Sequence, residues 1–263
     1  MQFTEIVSEI ERIAPLSAAV AWDASCVQVA ARRQDVTKFA VCLDPTPASL
    51  SQALKLGAQG ILSHHPLSLK PTLPRRLDAW HESLRLLFCA DVPLYAAHTS
   101  LDVNHLGPAG WLAETLKLER RCVLEPVTQA VEGELPLGFG LAGDLPEPMT
   151  VRQIASLIAR EAPMPVATVC GPEPQLVRRL AYCTGSGASL LGEAMAAGAD
   201  LYVTGDIKYH MALEAEICLL DVGHHSLEEE MMRRMALLLQ QRLRKVEVIF
   251  VPSVSPFRPM PLS

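Results

Sequence analysis

An internal repeat is the feature of this chain that most limits how it can fold. Residues 36–43 align with residues 177–184 at an offset of 141 (177 against 36), and the agreement extends to Gly57-Ala58 over Gly198-Ala199. Apolar runs of strand type coincide in the two copies. Ordered self-similarity of this kind indicates one structural unit used twice. The sequence therefore predicts two related halves built on one plan.

The first copy shows what that plan is. Lys38–Leu43 is a short apolar run, helical spacing follows between Leu50 and Gly57, and Ile61-Leu62 begins another strand. A strand, a helix and a strand within about 30 residues form a βαβ unit with parallel strands. The predicted fold class is α/β, as a pseudo-repeat of two α/β halves.

The boundary between the halves is predicted from proline. Eight of the twenty prolines lie in residues 126–174, which should contain the junction and short edge strands. The first half is predicted as residues 1–125 with about 245–263, and the second as residues 126–244. Further helices are expected at 5–13, 80–89, 109–118, 151–160 and 226–244, and further strands at 93–97 and 246–251.

Composition excludes several classes of protein. The 263 residues are 49% hydrophobic, enough for a sizeable core, which excludes a disordered chain. A net charge of −6 argues against a nucleic-acid partner. An apolar run long enough for a membrane span is absent, the start lacks a signal-peptide core, and the seven cysteines are dispersed. A cytoplasmic protein with reduced thiols and no membrane contact is therefore expected.

Histidines follow three predicted strands or strand-like runs, and in two of the three segments a carboxylate lies four positions after a histidine. The three segments are Ser63-His64-His65-Pro66, His98-Thr99-Ser100-Leu101-Asp102 and Gly223-His224-His225-Ser226-Leu227-Glu228. Ligands bind at the carboxyl ends of strands in open α/β sheets. Each segment also has a purely structural explanation: solvated loop histidines, Asp102 capping a turn, or Glu228 favoured by a helix dipole.

Taken together, the three segments predict a dinuclear metal site. Adjacent residues of an extended chain point to opposite sides, so His64 and His65 could serve different ions. His98 could be a nitrogen ligand or a proton carrier, and the two oxygens of Glu228 could bridge two ions. The absence of thiolate argues against a closed zinc site, and mixed N/O ligands suit Zn²⁺, Fe²⁺, Mn²⁺ or Co²⁺.

Two glycine-containing segments in the second half are weaker candidates. Thr204-Gly205-Asp206-Ile207-Lys208-Tyr209-His210 occupies the strand end that corresponds to His64 in the repeat, so Lys208 and His210 could line the site. Gly185-Ser186-Gly187 could hold an anion with its amides or could simply form a tight turn.

These motifs as a set resemble the NIF-three-like family of dinuclear metal proteins, whose members are called GTP cyclohydrolase 1 type 2 homologs. Trp22-Asp23 and Ala97-His98 also match the family's marks. The resemblance covers nearly the whole chain and implies two α/β halves with a two-metal site in the cleft between them, and a ring-shaped homohexamer. It implies the metal ligands His64, His65, Asp102, His224 and Glu228, with Glu228 as the bridge and His98 as a nearby acid/base group.

The chain also departs from the family's pattern. Asp23-Ala24-Ser25-Cys26 replaces the usual Asp-Asn with a following Gly, and Asn104-His105-Leu106-Gly107-Pro108 replaces a usual Gly-Gly. His225 stands where the family has a tyrosine. None of these positions is an implied ligand.

Three functions remain open at this stage. The first is a metal-dependent hydrolase, cyclohydrolase-like by resemblance, that acts on a small-molecule substrate such as a nucleotide or another phosphate-bearing molecule. His98, Glu228 and His210 are its candidate catalytic residues. The second is a non-enzymatic protein that binds or delivers metal. The third is a ring-shaped scaffold for a regulatory partner.

Overall fold

The computed structural model describes residues 1–70 and 73–260, which form a mixed α/β protein with two sheets. The helices are α1 (Phe3–Ile13), α2 (Pro47–Lys55), α3 (Ala79–Ala90), α4 (Thr99–Asp102), α5 (Trp111–Thr115), α6 (Val151–Glu161), α7 (Leu191–Ala196), α8 (Tyr209–Leu213) and α9 (His224–Arg242). The strands are β1 (Cys26–Val29), β2 (Lys38–Cys42), β3 (Gly60–Ser63), β4 (Leu94–Ala96), β5 (Glu119–Pro126), β6 (Gly138–Met149), β7 (Thr168–Cys170), β8 (Val177–Tyr182), β9 (Leu201–Thr204), β10 (Cys218–Asp221) and β11 (Glu247–Phe250). Short 3₁₀ turns cover Leu16–Ala18, Pro108–Gly110 and Ala188–Leu190.

The first sheet has five strands in the order β1-β4-β3-β2-β11. Strands β4, β3, β2 and β11 are parallel neighbours, and β1 is an antiparallel edge strand. Parallel pairing places the carboxyl ends of β2, β3 and β4 at one edge of the sheet. The residues that follow these three strands are therefore brought together.

The second sheet has six strands in the order β5-β6-β8-β9-β10-β7. Strands β8, β9 and β10 are parallel, and β7 pairs antiparallel with β10 at the edge. Strands β6 and β5 extend the other side of the sheet by antiparallel pairing.

The two sheets contain the predicted repeat, and the repeated unit includes more helices and strands than the sequence comparison indicated. Strand β3 shifted by the offset of 141 coincides with β9, and α2 coincides with the 3₁₀ turn at Ala188–Leu190 together with α7. The order α1-β1-β2-α2-β3-β4 recurs as α6-β7-β8-α7-β9-β10, including the antiparallel edge strand in each sheet. The shared plan is thus a helix, an edge strand and a three-stranded parallel core.

Compact packing divides the chain into residues 1–102 with 232–253 and residues 103–231 with 254–263, called here the first and second units. The division differs from the predicted boundaries at 125/126 and near 245. At the first boundary the reason is that β5 pairs with β6, so the segment up to Pro126 belongs to the second sheet.

Each unit has its own apolar core. Ala40, Ile61 and Leu94, from the three central strands of the first sheet, pack with residues of α2 and α3 such as Leu50 and Leu87. The second core contains Ala181, Tyr202 and Leu219 from the corresponding strands. Burial on the faces of a parallel sheet explains why these strands are continuous apolar runs rather than alternating patterns.

Three local features differ from the predictions. The helix predicted at 109–118 is a 3₁₀ turn followed by the short helix α5. Helix α9 begins at His224, so Ser226 lies within its first turn and its Oγ donates to the carbonyl oxygen of Pro163 at 3.0 Å instead of capping the helix. The proline-rich stretch contains the long strand β6, whose ladder with β8 is interrupted between Asp144 and Met149, where prolines are tolerated.

Within residues 1–70 and 73–260, no helix has the combination of length and hydropathy that crossing a bilayer requires.

Candidate metal centre

Three histidines converge at the carboxyl edge of the first sheet. His64 and His65 follow β3, and His98 follows β4 two residues after its last residue, Ala96, which pairs with Ser63. Each histidine offers one ring nitrogen within 4.8 Å of those offered by the other two. Three imidazoles at such separations form a group that can hold a metal ion.

The three imidazoles are oriented in the same way, by an oxygen atom at Nδ1. The Nδ1 atom of each ring lies at hydrogen-bond distance from an acceptor oxygen: 2.9 Å from the carbonyl oxygen of Ala97 for His64, 2.7 Å from Oδ1 of Asp44 for His65, and 2.8 Å from Oδ1 of Asp23 for His98. Because these oxygens only accept, each neutral ring donates at Nδ1 and carries its lone pair at Nε2. Histidines that bind metals are held by their second nitrogen in this way.

Asp102 adds an oxygen to this side of the cluster. It is the last residue of α4, and its Oδ1 atom lies 3.6 Å from Nε2 of the fully buried His64. A hard carboxylate oxygen beside an imidazole nitrogen is the mixed ligand set that first-row divalent metals accept.

The loop at Asp23 holds His98 in place. The Asp23 carboxylate accepts hydrogen bonds from Ser25 Oγ at 2.6 Å, from Thr99 Oγ1 at 2.6 Å and from the amide of Thr99 at 3.1 Å, in addition to the His98 ring. Burial by itself raises the pKa of Asp23, but the hydrogen bonds from His98, Ser25 and Thr99 outweigh it and keep the pKa far below its usual range. The departure Asp23-Ala24-Ser25-Cys26 therefore contains a network that orients His98.

The second unit holds another histidine–carboxylate cluster at the start of α9. His224 and Glu228 lie one helical turn apart, with Nε2 of His224 2.8 Å from Oε2 of Glu228. Nδ1 of His224 lies 2.8 Å from Oδ2 of Asp206, which has a left-handed backbone with φ of 58°. Burial lowers the pKa of His224, but hydrogen bonds and charge from Glu228 and Asp206 outweigh it and raise the pKa to about 9.

Glycines make room for this second cluster. A Cβ atom added to Gly185 would lie 2.1 Å from Oε1 of Glu228 and 3.3 Å from Nε2 of His224. A Cβ atom on Gly205 would lie 2.4 Å from the backbone nitrogen of His224. One glycine of each weaker motif, Gly185 and Gly205, is thus explained by the close approach of His224 and Glu228. The left-handed backbone of Gly185, with a φ of 59°, is typical of the tight turn that was the alternative to an anion cradle.

Lys208 and His210 are placed differently from the other predicted residues. His210 is exposed on the short helix α8, with its ring beside that of Tyr209, and Lys208 is exposed just before that helix. His210 belongs to none of the groups of potential metal ligands found among residues 1–70 and 73–260.

The carboxylates that hold the histidines were not among the predicted site residues. These are Asp23, Asp44 and Asp206. A usable signal existed for two of them, because Asp44 and Asp206 follow β2 and β9 and so stand at the same strand ends as the histidines. Their roles could not be assigned, since the partner of each is at least 18 positions away in the chain.

Comparison with known proteins shows the family to which the chain belongs. The model of the family Duf34/NIF3 (NGG1p interacting factor 3) matches residues 1–256. The chain belongs to this family. The resemblance drawn from the motifs is therefore confirmed.

Individual family members are similar over most of their length. A GTP cyclohydrolase 1 type 2 homolog of Clostridium perfringens is 30% identical, covering 92% of this chain and 93% of that protein. One from Streptomyces coelicolor is also 30% identical, covering 86% and 81%. The crystal structure of a Bacillus cereus protein related to NIF3 superposes with a TM-score of 0.88 at 24% identity and 99% coverage of both chains, which shows a shared fold.

Proposed function

We propose that this member of the Duf34/NIF3 family binds two divalent metal ions and is a metal-dependent hydrolase of a small-molecule substrate, with a nucleotide or another phosphate-bearing molecule as the candidate class. The proposed ligands are His64, His65, Asp102, His224 and Glu228, with Glu228 bridging the ions. The observation that carries the proposal is the shared orientation of the histidines, whose Nδ1 atoms are all held by oxygen. The proposal includes a single site formed by both units, a homohexamer and a cytoplasmic location, each drawn from the family resemblance.

The donor set fits a pair of divalent ions. Imidazole nitrogen and carboxylate oxygen suit Zn²⁺, Fe²⁺, Mn²⁺ and Co²⁺, and a carboxylate has two oxygens with which to bridge. The space that Gly185 leaves beside Oε1 of Glu228 supports this fit, because a side chain there would meet that oxygen. Divalent ions held by such ligands act as Lewis acids and make water ionise near neutral pH.

The residues around the ions have separate tasks in this proposal. Asp23 fixes Nδ1 of His98, so that Nε2 of His98 can take or give a proton at the substrate. Asp206 fixes Nδ1 of His224, which keeps Nε2 of that ring directed at Glu228. His210 is the second candidate for proton transfer, from its exposed position on α8.

Metal analysis tests the site itself. Purified protein should contain about two divalent ions per chain by inductively coupled plasma mass spectrometry. His64→Asn should lower that content, because it removes a nitrogen donor. His81→Asn is the matched control, since His81 is also in the first unit but belongs to none of the ligand groups in the described residues. If wild-type protein holds no ions and His64→Asn changes nothing, the proposed site is wrong.

Turnover tests the hydrolase. Metal-free protein should regain activity with Mn²⁺ or Zn²⁺ in a screen of phosphoesters, amides and nucleotides. Glu228→Gln should abolish that activity while the fold is kept, whereas Glu193→Gln, at an exposed carboxylate of the same unit, should leave it unchanged. A protein that holds its ions but hydrolyses nothing in the screen would instead be the metal-binding or delivery protein.

A further inference from the structure

Trp22 is an exposed aromatic residue in contact with the first-unit histidine cluster. Its side chain is 62% exposed, and its ring centroid lies 5.9 Å from that of His98 with an angle of 67° between the planes. Trp111, by contrast, is buried in the second unit. A single exposed apolar residue is ordinary. The position of Trp22 against a site histidine is what requires explanation.

The backbone on both sides of Trp22 is tied to the segment that carries His98. Thr99 Oγ1 accepts from the amide of Val20 at 3.2 Å, and the amide of Thr99 donates to Asp23 at 3.1 Å. The turn between Val20 and Asp23 is closed by a hydrogen bond from the Asp23 amide to the Val20 carbonyl oxygen at 3.0 Å. Trp22 is therefore held at a defined place relative to His98.

We propose that the indole of Trp22 is the platform on which a planar aromatic ring of the substrate stacks while the reacting part of the molecule lies at the histidine cluster. The steep angle to the His98 ring means that the imidazole does not stack on the indole, so much of the indole surface faces solvent. Bases stack on aromatic side chains through their π-faces, and a rigid platform loses little conformational entropy on binding.

This inference rests on the proposed function, because that function places the reacting part of the substrate at the histidines. Of the candidate substrates named there, it selects those that carry a planar heteroaromatic ring, and it names Trp22 as the residue that binds this ring. Loss of one stacking platform weakens binding of a base by about fivefold to 150-fold.

Paired ligands test the platform. GMP and ribose 5-phosphate share ribose and phosphate and differ in the ring, so their affinities for metal-loaded protein can be compared by isothermal titration calorimetry. Trp22→Ala should weaken GMP binding by about tenfold or more and leave ribose 5-phosphate unchanged, and Trp22→Phe should restore most of the loss. Phe88→Ala is the matched control, because Phe88 is 63% exposed in the same unit.

The outcomes separate this inference from the proposed hydrolase. Equal GMP affinity in wild type and Trp22→Ala, an equal loss for both ligands, or no GMP binding by the wild type at millimolar concentration would each overturn the platform. Binding is measured without turnover, so a protein that hydrolyses nothing can still bear out the inference. Metal content of Trp22→Ala equal to that of the wild type is expected, and a loss of metal would reassign Trp22 to a purely structural role.

Discussion

Replacing Gly185 with alanine adds one atom, Cβ, which should disturb the arrangement of His224 and Glu228 in the second unit. The new Cβ would lie 2.1 Å from Oε1 of Glu228 and 3.3 Å from Nε2 of His224. The backbone of Gly185 also has a φ of +59°, in the left-handed region that alanine rarely adopts. The variant therefore combines backbone strain with a clash against the proposed bridging ligand.

The size of the effect follows from these two contributions. Left-handed backbone costs a residue other than glycine about 1–2 kcal/mol. Ordinary contact begins at 3.4 Å, so the Glu228 oxygen must move by about 1 Å or more, whereas site geometry tolerates only about 0.5 Å. Since Glu228 is buried, repacking adds about 1–3 kcal/mol. We expect the free energy of unfolding to fall by about 2–5 kcal/mol and metal affinity by at least about tenfold.

Two other glycines separate the contributions. Gly133 has a φ of +82° with no atom within 4 Å of an added Cβ, so Gly133→Ala reports backbone strain alone. Gly192, in α7, has no atom within 4 Å and no positive φ, so Gly192→Ala should stabilise by up to about 1 kcal/mol. Urea unfolding followed by circular dichroism gives stability, and mass spectrometry gives metal content. If Gly185→Ala matches Gly133→Ala in both measurements, the clash with Glu228 has no consequence.

Three further predictions concern pH, a buried hydrogen bond and the metal. A hydrogen bond from Arg179 holds the pKa of Asp144 below its ordinary 3.8, so ionised Asp144 stabilises the fold above that pH. The difference in unfolding free energy between wild type and Asp144→Asn, measured by urea titration, should therefore shrink from about pH 6 to about pH 3. A difference that stays constant over this range would contradict the prediction. Trp111→Phe removes the indole N–H that donates to the carbonyl oxygen of Leu227 at 3.1 Å. The free energy of unfolding in urea should fall by about 1–3 kcal/mol, and an unchanged unfolding midpoint would contradict this. Removal of the metal with a chelator should lower the unfolding midpoint of the wild type, because an ion that binds only the folded state at 100 times its Kd adds about 2.7 kcal/mol of stability. The same treatment should lower the unfolding midpoint of His64→Asn by less. Equal shifts in the two proteins would exclude His64 as a ligand.

Most of the element order could be predicted because its signals are local. Apolar runs and helical spacing located β2, α2 and β3, and the offset of 141 carried the same plan to β8, α7 and β9. Strands β5 and β6 could not be assigned to the correct sheet, because only their antiparallel pairing with β8 and with each other decides it. Helix α9 begins at His224, and Ser226, the predicted cap, instead donates to the carbonyl oxygen of Pro163, 63 positions away in the chain.

The sequence by itself determined the repeated α/β plan and the presence of histidine and carboxylate after several parallel strands, because both are expressed in residues close together along the chain. Only the tertiary structure decided how the histidines are held. Asp23 and His98 are 75 positions apart, and their hydrogen bond exists because β1 and β4 pair at the edge of one sheet. The need for glycine at position 185 was decided in the same way, by the approach of Glu228, since a close contact depends on packing distances that no local pattern records.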